Sequence, residues 1–349
     1  MTEATPPRPR APGARTTLLD VAQRAGVSRT TASFVLTGRR DMRISADAEE
    51  RVRRAARELN YRPSLLARSL RTNQSQTLGL LSDEIASEAF AGDVIRGATA
   101  TALLHDHLLF VGETEGDPQV EQSLIQNMLD RGVGGFVYAS MYTRKVSVSK
   151  VLRAQQLVLL NCLPRVRGVA AVIPDEREAG RAVARLLLDH GHRDGIVLVG
   201  EQATHIHAAA ERLLGITEVL KEAGVTPAAE VECLWWPEPS YQAVTDFLRE
   251  PHAPPATALI CLNDRVAMGA YQAAADAGLR IPDDLSIVAF DNSDLAAWLR
   301  PGLTSVGIPH FEMGRRAVEL LLDKDRPTTV EQIPMPVAHR DSVGSPRRA

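Results

Sequence analysis

No stretch of these 349 residues is apolar for the ~18 positions a membrane-spanning helix needs, and residues 1–15 carry proline and arginine where a secretory leader would carry an apolar run. The sequence therefore reads as cytoplasmic, with no membrane partner. Cysteine is scarce. Cys162, Cys233 and Cys261 are odd in number and form no C-x-x-C pair, which excludes a disulfide framework or a zinc finger and fits thiols in a reducing compartment. The phosphate-cradling G-x-x-x-x-G-K-[ST] loop, G-x-G-x-x-G after a strand, H-E-x-x-H and G-x-S-x-G are all missing. No cofactor and no catalytic residue are expected, and an enzyme is the weakest functional reading. The histidine pairs 105/107, 190/192 and 205/207 sit two apart, about 200° around a helix, a poor arrangement for joint metal ligation. No metal site is expected.

Net charge is also nearly absent, at −3, but that figure averages two unlike parts. Residues 1–76 hold 15 arginines against 7 acidic residues, a net of +8, which leaves −11 for residues 77–349. A basic head on an acidic body points to contact between the head and nucleic acid. With 44% hydrophobic and 24% charged residues, the remainder has the composition of globular domains, and the length allows two or three.

Residues 1–15 read as a disordered basic, proline-rich arm. From Thr17 three short helical patterns follow. Thr17 and Asp20 have capping-box spacing, after which Leu18, Val21, Ala22 and Ala25 make one apolar face that Gly26 ends. Ser28 caps a second helix through Leu36 with Ala32, Val35 and Leu36 inward. Ser45 caps a third, with Val52, Ala56 and Leu59 inward and Arg51, Arg53, Arg54 and Arg57 outward. Helix, Ala25-Gly26-Val27-Ser28 turn and helix form the helix-turn-helix layout, whose second helix enters the major groove. The wheel of that helix leaves Thr30, Phe34 and Thr37 facing away from the core, flanked by Arg29 and Ser33.

Tyr61-Arg62-Pro63 breaks the third helix, and Ser64 caps a segment over 65–71 that is too short to hold alone. It reads either as a linker helix or as one that folds against DNA, with Leu70 as a wedge between base steps and Arg68 and Arg71 on phosphates. Beyond Thr77, apolar runs at 77–81, 108–111, 135–139 and 157–160 alternate with helical patterns near 92–104, 119–131 and 146–154. A second series has strands at 195–199, 232–235, 258–261 and 285–290, and helices near 176–189, 208–223, 241–249 and 264–277. Such alternation means doubly wound parallel sheets, which bind ligands at the carboxyl ends of their strands. Polar residues gather there: Asp83, His207 with Arg212, Trp235-Trp236, Asn263-Asp264 and Asp291-Asn292. Carboxylates, an amide and a guanidinium beside an aromatic face suit a polyol, although Asp and Asn at these points also serve as helix caps.

Thr17-Leu18-Leu19-Asp20-Val21-Ala22, Ala25-Gly26-Val27-Ser28 and Glu58-Leu59-Asn60-Tyr61-Arg62-Pro63 closely resemble the DNA-binding head of LacI/GalR-type transcriptional regulators. The body resembles their effector domain through Leu188-Asp189-His190-Gly191-His192-Arg193, Arg212-Leu213-Leu214-Gly215, Asn263-Asp264, Gly278-Leu279-Arg280-Ile281-Pro282-Asp283-Asp284 and Leu303-Thr304-Ser305-Val306. The resemblance implies an all-α helix-turn-helix domain over 16–62, a hinge helix and linker over 63–76, and a two-lobed, periplasmic-binding-protein-like α/β domain over 77–342. The N-lobe is expected at about 77–162 plus 311–326, the C-lobe at about 163–308 plus 330–341, and a tail at 343–349.

It further implies a homodimer on a near-palindromic double-stranded DNA operator, switched as a repressor by a small effector, a sugar or sugar derivative, in the interlobe cleft. DNA contacts are implied for Thr17, Leu18, Ser28, Arg29, Thr30, Ser33, Phe34, Thr37, Tyr61, Ser64, Ala67 and Leu70, and effector contacts for Asp83, Phe90, Asp175, His207, Arg212, Trp235, Asn263 and Asp291. Two departures stand out. Phe34 replaces the arginine or asparagine more usual at its position, and Asp175-Glu176 replaces the family's Asp-Asn pair. The alternative reading is a cytoplasmic carbohydrate-binding protein that keeps the cleft and binds no operator.

Overall fold

Thr17 opens the first helix as expected: the Asp20 carboxylate accepts both its backbone N–H and its hydroxyl, each at 2.7 Å. In the computed structural model, which describes residues 16–36, 43–61, 75–83, 91–201 and 206–347, the chain divides into two compact units, 1–75 and 76–349. The head contains α1 (Leu18–Ala25), α2 (Arg29–Leu36) and α3 (Ala46–Glu58). Gly26 ends α1 in the left-handed region at φ 65°, where a residue without a Cβ carries no strain. The Ser28 hydroxyl accepts the Thr31 N–H at 3.0 Å and so caps α2. Val21, Ala22, Ala25, Ala32, Val35, Val52, Ala55 and Ala56 form the core, with Leu18, Leu36, Leu59 and Tyr61 packed on it. Most of these are small residues, so three short helices approach closely. Arg24 pairs with Glu58 at 2.9 Å across α1 and α3. Arg51, expected outward, is half-buried and donates to the Ala25 carbonyl at 3.1 Å, capping the carboxyl end of α1.

The body opens with β1 (Thr77–Ser82), α4 (Ala91–Leu104), β2 (Leu108–Glu113), α5 (Pro118–Asp130), β3 (Phe136–Ala139), β4 (Lys145–Val146), α6 (Lys150–Arg153), β5 (Leu157–Leu160), β6 (Leu163–Pro164) and β7 (Ala170–Pro174). It continues with α7 (Glu176–Asp189), β8 (Ile196–Val199), α8 (His207–Glu222), β9 (Ala229–Val231), α9 (Pro237–Arg249), β10 (Ala258–Cys261), α10 (Asp264–Asp276), β11 (Ser286–Asp291), α11 (Asp294–Trp298), β12 (Thr304–Gly307), α12 (His310–Leu322), β13 (Val330–Ile333) and β14 (Val337–Ala338). The N-lobe sheet has the order β13-β7-β5-β3-β1-β2 and is parallel throughout. The C-lobe sheet has the order β14-β12-β11-β10-β8-β9, with only β14 antiparallel. Helices cover both faces of each, as parallel sheets require.

The topology corrects the expected lobe boundaries. β7 is an N-lobe strand beside β5, so the chain crosses between lobes at Asp175 and not near residue 163. β13, expected in the C-lobe, pairs with β7 in the N-lobe. Further crossings follow β12 and β13, and Ile308 at one of them packs on the cores of both lobes. Two elements also differ locally. The span 146–154 is not one helix but β4 followed by a single turn capped by Ser149, whose hydroxyl accepts the Leu152 N–H at 3.3 Å. The strand expected over 232–235 lies instead at Ala229–Val231, in register with Val197–Val199, while the bulky Trp235 side chain packs on the core from the connection to α9. No described helix is long and apolar enough to cross a membrane.

Candidate functional site: a helix-turn-helix face and an interlobe ligand cleft

In the head, Thr17, Arg29 and Thr30 are exposed, while Leu18, Ser33, Phe34 and Tyr61 are half-buried. Arg29 and Thr30 stand at the amino-terminal end of α2, the end a recognition helix presents to base edges. Exposed Ser28 spends its hydroxyl on the α2 cap and on Thr31 Oγ1 at 2.9 Å, and Tyr61 serves the core. Thr37, Ser64, Ala67 and Leu70 lie outside the described residues, as does Phe90 of the expected effector set.

In the C-lobe, one buried arginine organises the strand ends. Arg212 sits on α8 and is 1% exposed. Its Nε donates to Glu176 Oε2 at 2.6 Å and its Nη2 to Glu176 Oε1 at 3.1 Å, a fork-on-fork pair. Nη1 donates to the Leu262 carbonyl at the end of β10, and Nη2 reaches Asp291 Oδ1 at 3.4 Å at the end of β11. The guanidinium carbon lies 4.6 Å from the Phe290 ring centroid and 5.8 Å from that of Trp235. The helices carrying the pair can meet because neither α7 nor α8 has a side chain at the crossing: a Cβ on Gly180 would lie 2.1 Å from the Arg212 carbonyl oxygen, and one on Gly215 2.0 Å from that of Arg177.

Around this pair the expected residues divide into one partly exposed carboxylate and side chains spent on caps and packing. Asp291 is a third exposed and holds a left-handed backbone at φ 98°. Enclosure away from water raises its carboxyl to about 7, with the Arg212 charge pulling the other way. Trp235 is half-buried and donates from Nε1 to the Glu201 carbonyl at 3.1 Å, which fixes its ring beside Arg212. Asn263 caps α10, its Oδ1 accepting the Val266 N–H at 2.7 Å, and its Nδ2 donates to the Trp235 carbonyl at 3.4 Å. Asp175 caps α7 by accepting the Glu178 N–H at 3.1 Å. His207 is the half-buried first residue of α8. The structure thus brings Arg212, Trp235, Asn263 and Asp291 together, while Asp175 and His207 stand at the ends of the helices that carry Glu176 and Arg212.

Three participants were not among the expected contacts. Glu176 binds Arg212 across 36 positions of sequence. Asp264, buried at 1% exposure, accepts the Ser293 N–H and hydroxyl and the Ser305 hydroxyl, so it ties β10, β11 and β12 together. Burial raises its carboxyl, and those hydrogen bonds oppose the shift. Phe290 supplies the aromatic floor. The Asp-Glu departure at 175–176 was the one sequence signal for Glu176.

The N-lobe contributes a separate set. Asp83 follows β1 and is 5% exposed; its Oδ1 accepts the Met141 N–H at 2.9 Å and its Oδ2 pairs with Arg144. Asn161 donates to the Ser140 and Met141 carbonyls at 3.0 and 3.1 Å and accepts from Thr143 at 2.7 Å, pinning the loop after β3. Among the described residues, no group of three or more His, Cys, Asp or Glu is placed to hold a metal ion.

Residues 17–64 match the description of bacterial regulatory proteins of the lacI family, and residues 171–343 that of a periplasmic binding protein-like domain. The chain is 31% identical over 343 residues to the HTH-type transcriptional repressor PurR of Erwinia tasmaniensis, covering 95% of this chain and 98% of that one. It is 31% identical over 310 residues to the ribose operon repressor of Haemophilus influenzae, covering 88% and 91%. A crystal structure of the lac repressor dimer bound to operator and the anti-inducer ONPF superposes with a TM-score of 0.78 at 24% identity, over 95% of this chain and all of that chain. That last likeness is one of fold.

Proposed function

The chain belongs to the LacI family of bacterial transcriptional regulators, and from that premise we propose that it is a repressor, not an enzyme: a homodimer that binds a near-palindromic operator through α2 and is switched by a small sugar or sugar derivative in its interlobe cleft. The observation that carries the reading is the basic head built as a helix-turn-helix, with Arg29 and Thr30 exposed at the start of the second helix, joined to a ligand-binding body. The relatives' names support each half: one is a transcriptional repressor, the other a repressor of a ribose operon.

Dimerisation is supported by an unusual edge. β2 lies at the margin of the N-lobe sheet, and Leu108, Phe110 and Val111 on it are exposed, next to Leu103 and Leu104 of α4, the latter 81% exposed. Monomeric proteins blunt such edges with charge, so an apolar one fits burial against a second copy. Effector binding that changes the angle between lobes would then change the spacing of the two heads, and a coupling of ~1–3 kcal/mol suffices for a switch. A soluble protein acting on DNA in this way works in the cytoplasm, at the nucleoid.

The test is operator selection from random duplexes followed by binding titrations at several salt concentrations. The selected site should be near-palindromic, and the logarithm of affinity should fall linearly with that of salt, by ~0.9 per phosphate contacted. Failure to enrich any sequence, or an affinity flat in salt, would leave the carbohydrate-binding alternative.

A further inference from the structure

α2, the helix proposed to read the operator, is eight residues long and buries two of them, Ala32 and Val35. So short a helix is marginal by itself, and its direction is inherited from the turn it leaves. That turn is built at the carboxyl end of α1, where carbonyls lack partners inside the helix. Two are taken by the turn itself: Ala22 accepts the Val27 N–H at 3.0 Å and Gln23 the Gly26 N–H at 3.2 Å. The Ala25 carbonyl, four residues before the start of α2, is taken from another helix. Arg51 Nε on α3 donates to it at 3.1 Å, across 26 positions of sequence.

On charge alone Arg51 would count as a phosphate contact of the basic head, but two of its nitrogens are directed into the head. Its Nη1 donates to Asp47 one turn earlier on α3, which holds the guanidinium with Nε toward α1. A cation there also meets the negative end of the α1 dipole. Other arginines of the head are spent differently. Arg24 pairs with Glu58 and Arg53 with Glu49, and all four side chains are between 44% and 63% exposed. Solvated pairs of that kind contribute little. Arg51 instead joins a charged donor to a backbone carbonyl of the turn, and a hydrogen bond from a charged group is among the stronger ones.

We propose that Arg51 is a positioning residue for operator recognition. From α3 it holds the Ala25 carbonyl and so sets the direction in which α2 presents Arg29 and Thr30 to base edges, without touching DNA itself. The proposal rests on the reading of α2 as the recognition helix.

The test compares two affinities of the full chain well below its melting temperature: for the operator selected from random duplexes, and for a shuffled duplex of the same length. Arg51→Ala, and Arg51→Met, which keeps the apolar stem, should each lower operator affinity about tenfold and leave affinity for the shuffled duplex within about twofold. Base readout is lost while phosphate contacts stay, so the dependence on salt should not change. A head that was only less stable would lose both affinities together, in proportion to its folded fraction, and keep their ratio. Arg53→Ala removes the same charge from the same helix and should keep the wild-type ratio. An intact ratio in either Arg51 variant, a salt slope shallower by the ~0.9 of one lost phosphate contact, or an equal loss of ratio in Arg53→Ala overturns the proposal. Arg29→Ala tests the underlying reading separately: operator affinity that survives it shows that α2 is not the recognition helix, whatever Arg51 does.

Discussion

Glu176 Oε2 accepts from Arg212 Nε at 2.6 Å, with both side chains within 3% of complete burial. A guanidinium in that setting is held in place by its partner and is only secondarily available to a ligand. One of its five N–H donors is left after Glu176, Asp291 and the Leu262 carbonyl are counted. Arg212 therefore positions Asp291 and Trp235.

Glu176→Ala should on this basis destabilise the body by about 3–5 kcal/mol, because it leaves a buried cation unpaired. Urea unfolding of the two proteins measures it. A loss under 1 kcal/mol would mean that water or Asp291 takes over the fork without cost.

Asp291 gives the body a pH signature. Its folded-state carboxyl is raised to about 7, well above its value in the unfolded chain, so in the window between the two the folded state holds a proton that the unfolded state does not. Stability from this group is present at low pH and is lost as pH rises toward 7. His192 and His310, lowered by burial, act in the opposite sense below neutrality. The comparison that isolates Asp291 is thus wild type minus Asp291→Asn. That difference in unfolding free energy should shift against the wild type between pH 5 and 8; parallel curves would show Asp291 to be ordinary.

Much of this was legible from residues alone, and the gaps have physical causes. Strands β1, β3, β5 and β10 are buried along almost their whole length and read as apolar runs in sequence. β7 is as fully buried, yet Ala170-Ala171-Val172-Ile173-Pro174 opens on two alanines and ends in proline, so periodicity cannot separate it from a loop. Asp291 stood out because a polar residue at a strand end is legible as such, and Arg212 because it is a charge early in the helix that follows β8. The role of Glu176 was not, since it depends on how close α7 comes to α8, a fact carried by Gly180 and Gly215 in three dimensions.

Phe34 should set a base preference of its own. A phenyl ring can pack on a thymine methyl but cannot bond guanine at two points, so selected half-sites should favour thymine at one position. Phe34→Arg should move that position toward guanine by about 1–3 kcal/mol. Operator selection with both proteins reads this directly, and identical selected sequences would remove Phe34 from the reading surface.

The apolar edge of β2 should govern assembly. Leu104→Glu with Phe110→Glu places charge on both elements of the exposed patch without touching the buried core of the lobe. Sedimentation should show a monomer where the wild type is a dimer, and operator affinity should fall steeply because one head then contacts one half-site. Effector binding by the isolated body should persist, since no cleft residue is altered. A dimer that survives both charges would move the interface to another apolar exposure, such as that around Trp298 of α11, which is 71% exposed.

Gly180 offers the strictest test of how the cleft is built. Alanine there would set its Cβ 2.1 Å from the Arg212 carbonyl oxygen, a backbone atom that cannot rotate away, so α7 and α8 must separate. Overpacking of this kind costs about 1–3 kcal/mol, but the functional consequence should be larger than the loss of stability. The Glu176–Arg212 fork spans the same two helices, and any separation lengthens it, releases Nη2 from Asp291 and turns the guanidinium away from the Phe290 ring. Gly180→Ala should therefore remain folded, keep operator binding by the head and lose its response to effector. A variant that responds as the wild type does would show that the helix contact, however close, does not position the cleft.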